Sequence, residues 1–366
     1  MGDQHIVKRK NTVVGLISNS EVRTNYLAPS DLEKLTKFSE FRYLELNESS
    51  DWDHSPKSTP EVLKRTESFV KDLDALIVCH GSPRLTNEIL SGTPRLSFIG
   101  ELEGDRFAQR VDVISAKKHN ITVVDTTHGS SYPVSEWALG LILIGLRNAG
   151  AHFRRLSSDT EWGNALQRKS EQIFQWNEEL TDKSVGLIGG GHIARRLIEF
   201  LRPFNVSKYV YDPYIGTDVA TSLNFTLTSL ENVLSIPDIV VCLAPLTPST
   251  RGMIRSEQIN LMKPQTVFVN VSRGQIVNSQ DLINRLKKND MVACLDVFDP
   301  EPIPVDSEIR TLDNVFLSPH IAGTTEKSRA RFFAEMLKEL NRHFSGHKTL
   351  HNITEMTIAN RSGRVF

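Results

Sequence analysis

A chain of 366 residues with 39% hydrophobic side chains and 21 glycines has material for about two ordinary cores, at roughly 150 residues per domain. Its 43 Lys and Arg stand against 44 Asp and Glu, a formal net charge of −1, which excludes a nucleic-acid or membrane-surface role driven by bulk charge. Cys79, Cys242 and Cys294 lie in or at the end of apolar runs and read as buried small side chains, so no metal is expected and a reducing cytoplasm is the default setting. Residues 1–10 lack the apolar segment of a secretory signal, and the longest apolar stretch, Trp137 to Leu146, is too short to span a bilayer.

Residues 12–127 read as repeated strand and helix units. Strands are expected at Thr12 to Ser18, Phe41 to Leu46, Ala75 to Cys79, Leu96 to Ile99 and Ile121 to Val124. Helical patterns lie between them, from about Ser30 and near Glu61 to Lys71, Leu85 to Leu90 and Val111 to His119. Alternation of this kind argues for a parallel sheet, and unbroken apolar strands argue that both its faces are covered. A helix from Pro133 or Val134 to Arg147 follows, apolar nearly all round, as for a helix buried on most faces. Residues 151–182 carry charges that interrupt any period, with Trp162 and Trp176 isolated among them, and read as an irregular connection.

From Ser184 a second series begins, with apolar strands expected at Val185 to Ile188, Tyr209 to Tyr211, Ile239 to Leu243, Val267 to Val271, Val292 to Val297 and Val315 to Leu317. Six strands suit a full dinucleotide-binding sheet. Its first strand breaks into Gly189-Gly190-Gly191-His192-Ile193-Ala194 and then into a helical pattern. Gly189 suits a sharp turn, Gly191 a close backbone approach to a pyrophosphate, and small Ala194 a helix packed tightly on its strand. A glycine cluster can also be a mere tight connection. Asp212, ending the next strand, stands where a carboxylate takes ribose hydroxyls, and no Lys or Arg occurs between Asp212 and Thr250, which favours NAD over NADP. Residues 326–345 are an amphipathic helix, followed by a polar tail suited to docking in extended form.

Ligands of an open parallel sheet bind beyond the carboxyl ends of its strands. Three loops there carry polar groups: Ser272-Arg273-Gly274, Asp299-Pro300-Glu301-Pro302 and Ser318-Pro319-His320. A cation, a carboxylate and an imidazole in three successive loops suit hydride transfer to a carbonyl, which needs a polarising charge and a proton partner.

The segments VGLIGGGHIARRL, YVYDPY, LAPLTPSTRGMI, FVNVSRGQIVNSQDLINRL, ACLDVFDPEPIP and VFLSPHIAGTT occur in the order seen in the D-isomer-specific 2-hydroxyacid dehydrogenases, which the chain resembles over roughly residues 75–350. The resemblance implies two Rossmann-like parallel-sheet α/β domains with the active cleft between them. A substrate domain would comprise 1–128 with 327–366, and an NAD-binding domain 129–326. It implies Arg273, Glu301 and His320 as catalytic residues, His192 and Ile193 at the pyrophosphate, Asp212 at the ribose and Asp296 at the nicotinamide amide. Ala244, Pro245, Leu246, Val271, Ser272, Ala322 and Gly323 would line the rest of the cofactor cleft. It also implies a homodimer through the helix near 133–150.

Arg273 offers a planar fork for a carboxylate. His320 suits proton exchange near neutral pH, and Glu301, if paired with it, fixes its tautomer. The resemblance implies an amide at this position in a formate dehydrogenase, whose substrate has no carbonyl to protonate, so the carboxylate of Glu301 argues for a 2-oxo or 2-hydroxy acid. The stretch Gly100 to Arg110 is more charged than the short glycine-rich loop usual in the family. His80, Gly81, Arg84, Gly104 and Arg106 are therefore candidate substrate contacts, with a cation selecting an additional anionic or polar group. Local pairing of Glu101, Glu103 and Asp105 is the competing expectation. Two further readings compete for the whole chain: an NAD(H)-sensing corepressor-like scaffold, and a dehydrogenase of a non-carboxylate anion such as phosphite.

Overall fold

The computed structural model describes residues 12–49, 55–103, 107–158 and 177–361. The chain divides into two compact units, one comprising Met1–Ser130 and Thr325–Ala359, the other Ser131–Thr324 with Asn360–Phe366.

The first unit holds five parallel strands, β1 (Val13–Ser18), β2 (Glu40–Glu45), β3 (Ala75–Val78), β4 (Phe98–Glu101) and β5 (Thr122–Asp125), in the order β2-β1-β3-β4-β5. Strands β1 and β3 are buried at every position because apolar side chains pack on both faces. Leu16, Ile77 and Phe98 meet Phe332, Phe333 and Met336 of the helix Glu326–Phe344 on one side. Ile17, Leu76, Val78 and Ile99 form a core on the other. Thr325 caps that helix by accepting a hydrogen bond from the Ser328 N–H. β4 starts at Phe98, two residues past the expected start, and a short helix, Ser20–Tyr26, adds to the expected elements. The tail docks as expected, with Ile353 N–H donating to Val123 and Asp125 N–H to His351, before an additional helix, Glu355–Arg361.

In the second unit, β6 (Ser184–Ile188), β7 (Ser207–Tyr211), β8 (Thr226–Leu227), β9 (Ile239–Cys242), β10 (Val267–Asn270), β11 (Val292–Leu295) and β12 (Val315–Leu317) form one parallel sheet in the order β12-β11-β10-β9-β6-β7-β8. The six expected strands are present. The seventh, β8, has two residues, too few to show a pattern in sequence. Strand order reverses between β6 and β9, the kind of switch point where ligands bind. The helix Ser131–Leu146 lies on this sheet, so close that a Cβ on Gly145 would stand 2.4 Å from Val267 Cγ1. That burial explains its apolarity on most sides.

One expectation fails. Within 151–182 the chain is not wholly irregular, since Ala149–Ser157 is helical. Arg154 on it donates to the carbonyls of Val315 and Leu312 at 2.9 Å each; a guanidinium fastened to backbone is what interrupted the apolar period. Trp162 and Trp176 lie outside the described residues. The three cysteines are buried thiols, and burial pushes Cys242 up to about 12. Among the described residues no helix is long and apolar enough to cross a membrane.

Candidate active site

The turn after β6 is built by contacts that leave its outer side open. Gly189 has φ +100, a conformation that L side chains rarely adopt, and a Cβ there would crowd the Ala244 backbone at 2.9–3.0 Å. Asp212, at the end of β7, accepts from Gly190 N–H at 2.9 Å and from Tyr214 N–H at 2.9 Å. The acidic residue thus ties down the glycine turn while staying partly exposed. A Cβ on Gly191 would meet nothing within 4 Å. Gly191 and His192 are exposed, so the N-terminus of the helix His192–Leu201 faces outward with its N–H groups, a ready anion site. The arrangement fits a dinucleotide: open backbone donors for the pyrophosphate and a half-exposed carboxylate for the ribose.

Gly191→Ala is therefore expected to fold with an unchanged melting temperature and to bind NADH about tenfold or more weaker, because its methyl group enters the open space. A fluorescence titration showing wild-type affinity would overturn that assignment.

Around the turn, Ala244 and Val271 are buried, while Pro245 is exposed and Leu246 half-buried. Ser272 Oγ donates to the Ala244 carbonyl, and Thr250 Oγ1 donates to the Pro245 carbonyl at 2.6 Å. The first bond ties together the loops after β9 and β10, and the second braces the loop after β9.

The three strand-end loops also meet. Arg273 Nη1 donates to the Ser272 carbonyl at 2.7 Å, and the guanidinium is half-exposed. Gly274 lies against the next loop so tightly that a Cβ would fall 1.9 Å from the Phe298 carbonyl carbon and oxygen. That next loop carries Glu301, which accepts from Phe298 N–H at 3.3 Å and lies 2.6 Å, through Oε1, from His320 Nδ1. A carboxylate oxygen accepts, so the ring proton sits on Nδ1 and Nε2 carries the lone pair. His320 has φ +52, and its N–H donates to the Asp296 carbonyl at 2.9 Å. The Asp296 carboxylate, fully buried, accepts from Ser318 Oγ, from Ile321 N–H at 3.1 Å and from Ala322 N–H at 2.9 Å. Trp137 Nε1 in turn donates to Ser318 Oγ at 3.1 Å. This network holds the loop that presents His320. The family resemblance pointed to Asp296 but not to Ser318 or Trp137, whose polar atoms become meaningful only once the helix lies on the sheet.

In the first unit the candidate substrate contacts pack against protein groups. Gly81 is buried, and a Cβ there would strike Leu46 O at 2.2 Å and Asn19 N at 2.5 Å, so close packing requires glycine at this position. Arg84 donates to Ser55 Oγ and to the Gln109 carbonyl, and so fastens two loops. His80 contacts Glu103 at 2.6 Å and Arg110 at 3.1 Å. Gly104 and Arg106 lie outside the described residues. Of the expected local pairing only Glu101 shows it: Arg110, 1% exposed, donates to Glu101 Oε1 at 2.7 Å, whereas Glu103 bonds outside the stretch, accepting from Tyr26 Oη through Oε2 at 2.7 Å.

Burial pushes the Glu101 carboxyl up, to about 8, against the pull of Arg110. Burial also pushes Glu103 upward, but the bonds from His80 and Tyr26 and the charge of Arg110 outweigh it and hold the group down, to about 2. A depressed carboxyl stabilises the fold above its ordinary value of 4.5, and that stabilisation fades as pH falls toward 2. Glu103→Gln should therefore lower stability near neutrality by on the order of 1–3 kcal/mol. Its melting temperature should converge with the wild type's as pH falls below about 4.5. A gap independent of pH would refute this.

Cys79, His80 and Glu103 bring possible metal-ligand atoms within 4.8 Å of one another. Arg110 always donates, so His80 Nδ1 accepts and the proton sits on Nε2, pointing at Glu103. Neither ring nitrogen then has a lone pair for a cation.

Comparison with known proteins agrees with the geometry. Residues 139–322 match the family described as D-isomer specific 2-hydroxyacid dehydrogenase, NAD binding domain. The chain belongs to the D-isomer-specific 2-hydroxyacid dehydrogenases. Among its relatives in this family, a glyoxylate reductase of Thermofilum pendens is 32% identical over 291 residues, 78% of this chain and 80% of that protein. A D-3-phosphoglycerate dehydrogenase of Methanocaldococcus jannaschii is 33% identical over 281 residues, 75% of this chain, but the match spans only 51% of that longer protein. The crystal structure of a phosphoglycerate oxidoreductase from Rhizobium etli shares the fold, with a TM-score of 0.78 at 19% identity, covering 93% of this dehydrogenase and 98% of that chain.

Proposed function

We propose that this chain interconverts a D-2-hydroxy acid and its 2-oxo acid with NAD, the second unit holding the cofactor and the first contributing to substrate binding. The observation that carries this reading is the 2.6 Å contact of His320 with Glu301, which presents Nε2 beside an Arg273 loop on a dinucleotide-type sheet. Bound NAD supplies or accepts the hydride at its nicotinamide ring. Arg273 holds the substrate carboxylate and polarises the neighbouring carbonyl. His320 Nε2 protonates the developing alkoxide during reduction and takes the proton back during oxidation. Glu301 keeps the imidazole in the required tautomer and supports its positive form. Gly189, Gly191, His192 and Ile193 would face the pyrophosphate, Asp212 the ribose, and Ala322 and Gly323 the nicotinamide end.

The enzyme works as a cytoplasmic homodimer in this reading. Tyr132 and Leu143 on the long helix and Phe153 and Leu156 on the next one are exposed, and such a set of apolar groups suits an interface.

Loss of NADH absorbance with glyoxylate, pyruvate, hydroxypyruvate and bulkier 2-oxo acids tests the activity. Turnover of at least one acid supports it. Cofactor binding without turnover would favour a scaffold, and reduction of NAD by phosphite alone a different dehydrogenase.

A further inference from the structure

The first sheet has its own switch point, between β1 and β3, and the residues just past those two strands are joined there: Asn19 N–H donates to the His80 carbonyl at 2.7 Å. Ligands of open parallel sheets gather at such a place. What stands there is a carboxylate. Tyr26 Oη and His80 Nε2 both bond to the same oxygen of Glu103, Oε2. Its Oε1 accepts no hydrogen bond from any described residue, and the side chain is 30% exposed. The donors are fixed in turn: Tyr26 is buried, and Arg110, itself buried against Glu101, sets the His80 tautomer that points a proton at Glu103. These contacts hold the orientation of the exposed oxygen.

We propose that Glu103 Oε1 is a specificity element of this enzyme, an acceptor for a hydroxyl group on the substrate chain beyond its carbonyl. The inference rests on the first unit binding substrate, as stated above. It differs from the expectation drawn from the charged loop, in which a cation selects a second anion. Arg84 and Arg110 are engaged with protein groups, and among the described residues the open charge at the switch point is negative. An ionised carboxylate accepts hydrogen bonds and donates none, so it attracts a hydroxyl and repels a second carboxylate. Sites built to bond a substrate hydroxyl discriminate strongly against the analogue that lacks it.

The test uses the full-length enzyme with NADH and two matched pairs, hydroxypyruvate against pyruvate and 4-hydroxy-2-oxobutanoate against 2-oxobutanoate, with oxaloacetate as the anionic acid. The wild type should favour the hydroxylated member of at least one pair by about tenfold or more in kcat/KM and should discriminate against oxaloacetate. Glu103→Gln, whose amide oxygen can still accept from Tyr26 and His80, should reduce that preference to within about threefold and relax the discrimination against oxaloacetate. An intact preference in Glu103→Gln overturns the proposal, as does a wild type that favours oxaloacetate or neither member of either pair. These wild-type outcomes decide the matter even if the variant fails to fold. If the wild type reduces no acid at all, the dehydrogenase reading itself fails and takes the proposal with it.

Discussion

Replacing His320 by Gln is expected to lower kcat for 2-oxo acid reduction by about 10²–10⁴-fold, the usual contribution of a positioned general acid. Glutamine is close in size and can still bond to Glu301, which faces His320 Nδ1 at 2.6 Å, so the loop should keep its shape. What disappears is the exchangeable proton at Nε2. NADH affinity, measured by fluorescence, should stay within about twofold of wild type, because the glycine turn after β6 makes no bond to His320 and the loss belongs to the transition state. A loss of less than tenfold in kcat would place the proton transfer elsewhere.

Gly274→Ala should do damage of another kind. Its methyl carbon would lie 1.9 Å from the Phe298 carbonyl atoms and 2.6 Å from Asp299 N, all of them backbone, so no flexible side chain can yield. Either the Arg273 loop or the Glu301 loop must move. Overpacking of this severity is expected to destabilise the second unit by about 2–3 kcal/mol and to lower Tm by roughly 5–10 °C. Activity should fall as well, since the displaced loops carry the guanidinium and the carboxylate. Gly191→Ala is the contrasting case: its methyl group meets open space, so Tm holds while cofactor binding weakens. Equal Tm in the wild type and Gly274→Ala would show that these loops are not packed as described.

Arg273, Glu301 and His320 were legible in sequence because each lies in the loop that follows an apolar strand, and a parallel sheet aims such loops at one end. Asp212 was legible for the same reason. The helix Ala149–Ser157 was not, because Arg154 breaks its apolar period and its partners are carbonyls of Leu312 and Val315, far along the chain. The two-residue strand β8 was too short to announce itself. The charge around Glu103 was read with the wrong partners: His80 lies 23 residues away and Tyr26 77 residues away, and no local spacing links them.

The alternation of strands and helices, the glycine cradle and the strand-end residues follow from neighbours along the chain, because backbone sterics and the burial of apolar runs act over a few residues. The tertiary structure alone decided which charges neutralise one another. Crossover order in the first sheet brings β1, β3 and β4 side by side, and only then do Arg110, His80 and Tyr26 converge to leave one oxygen of Glu103 open at the surface.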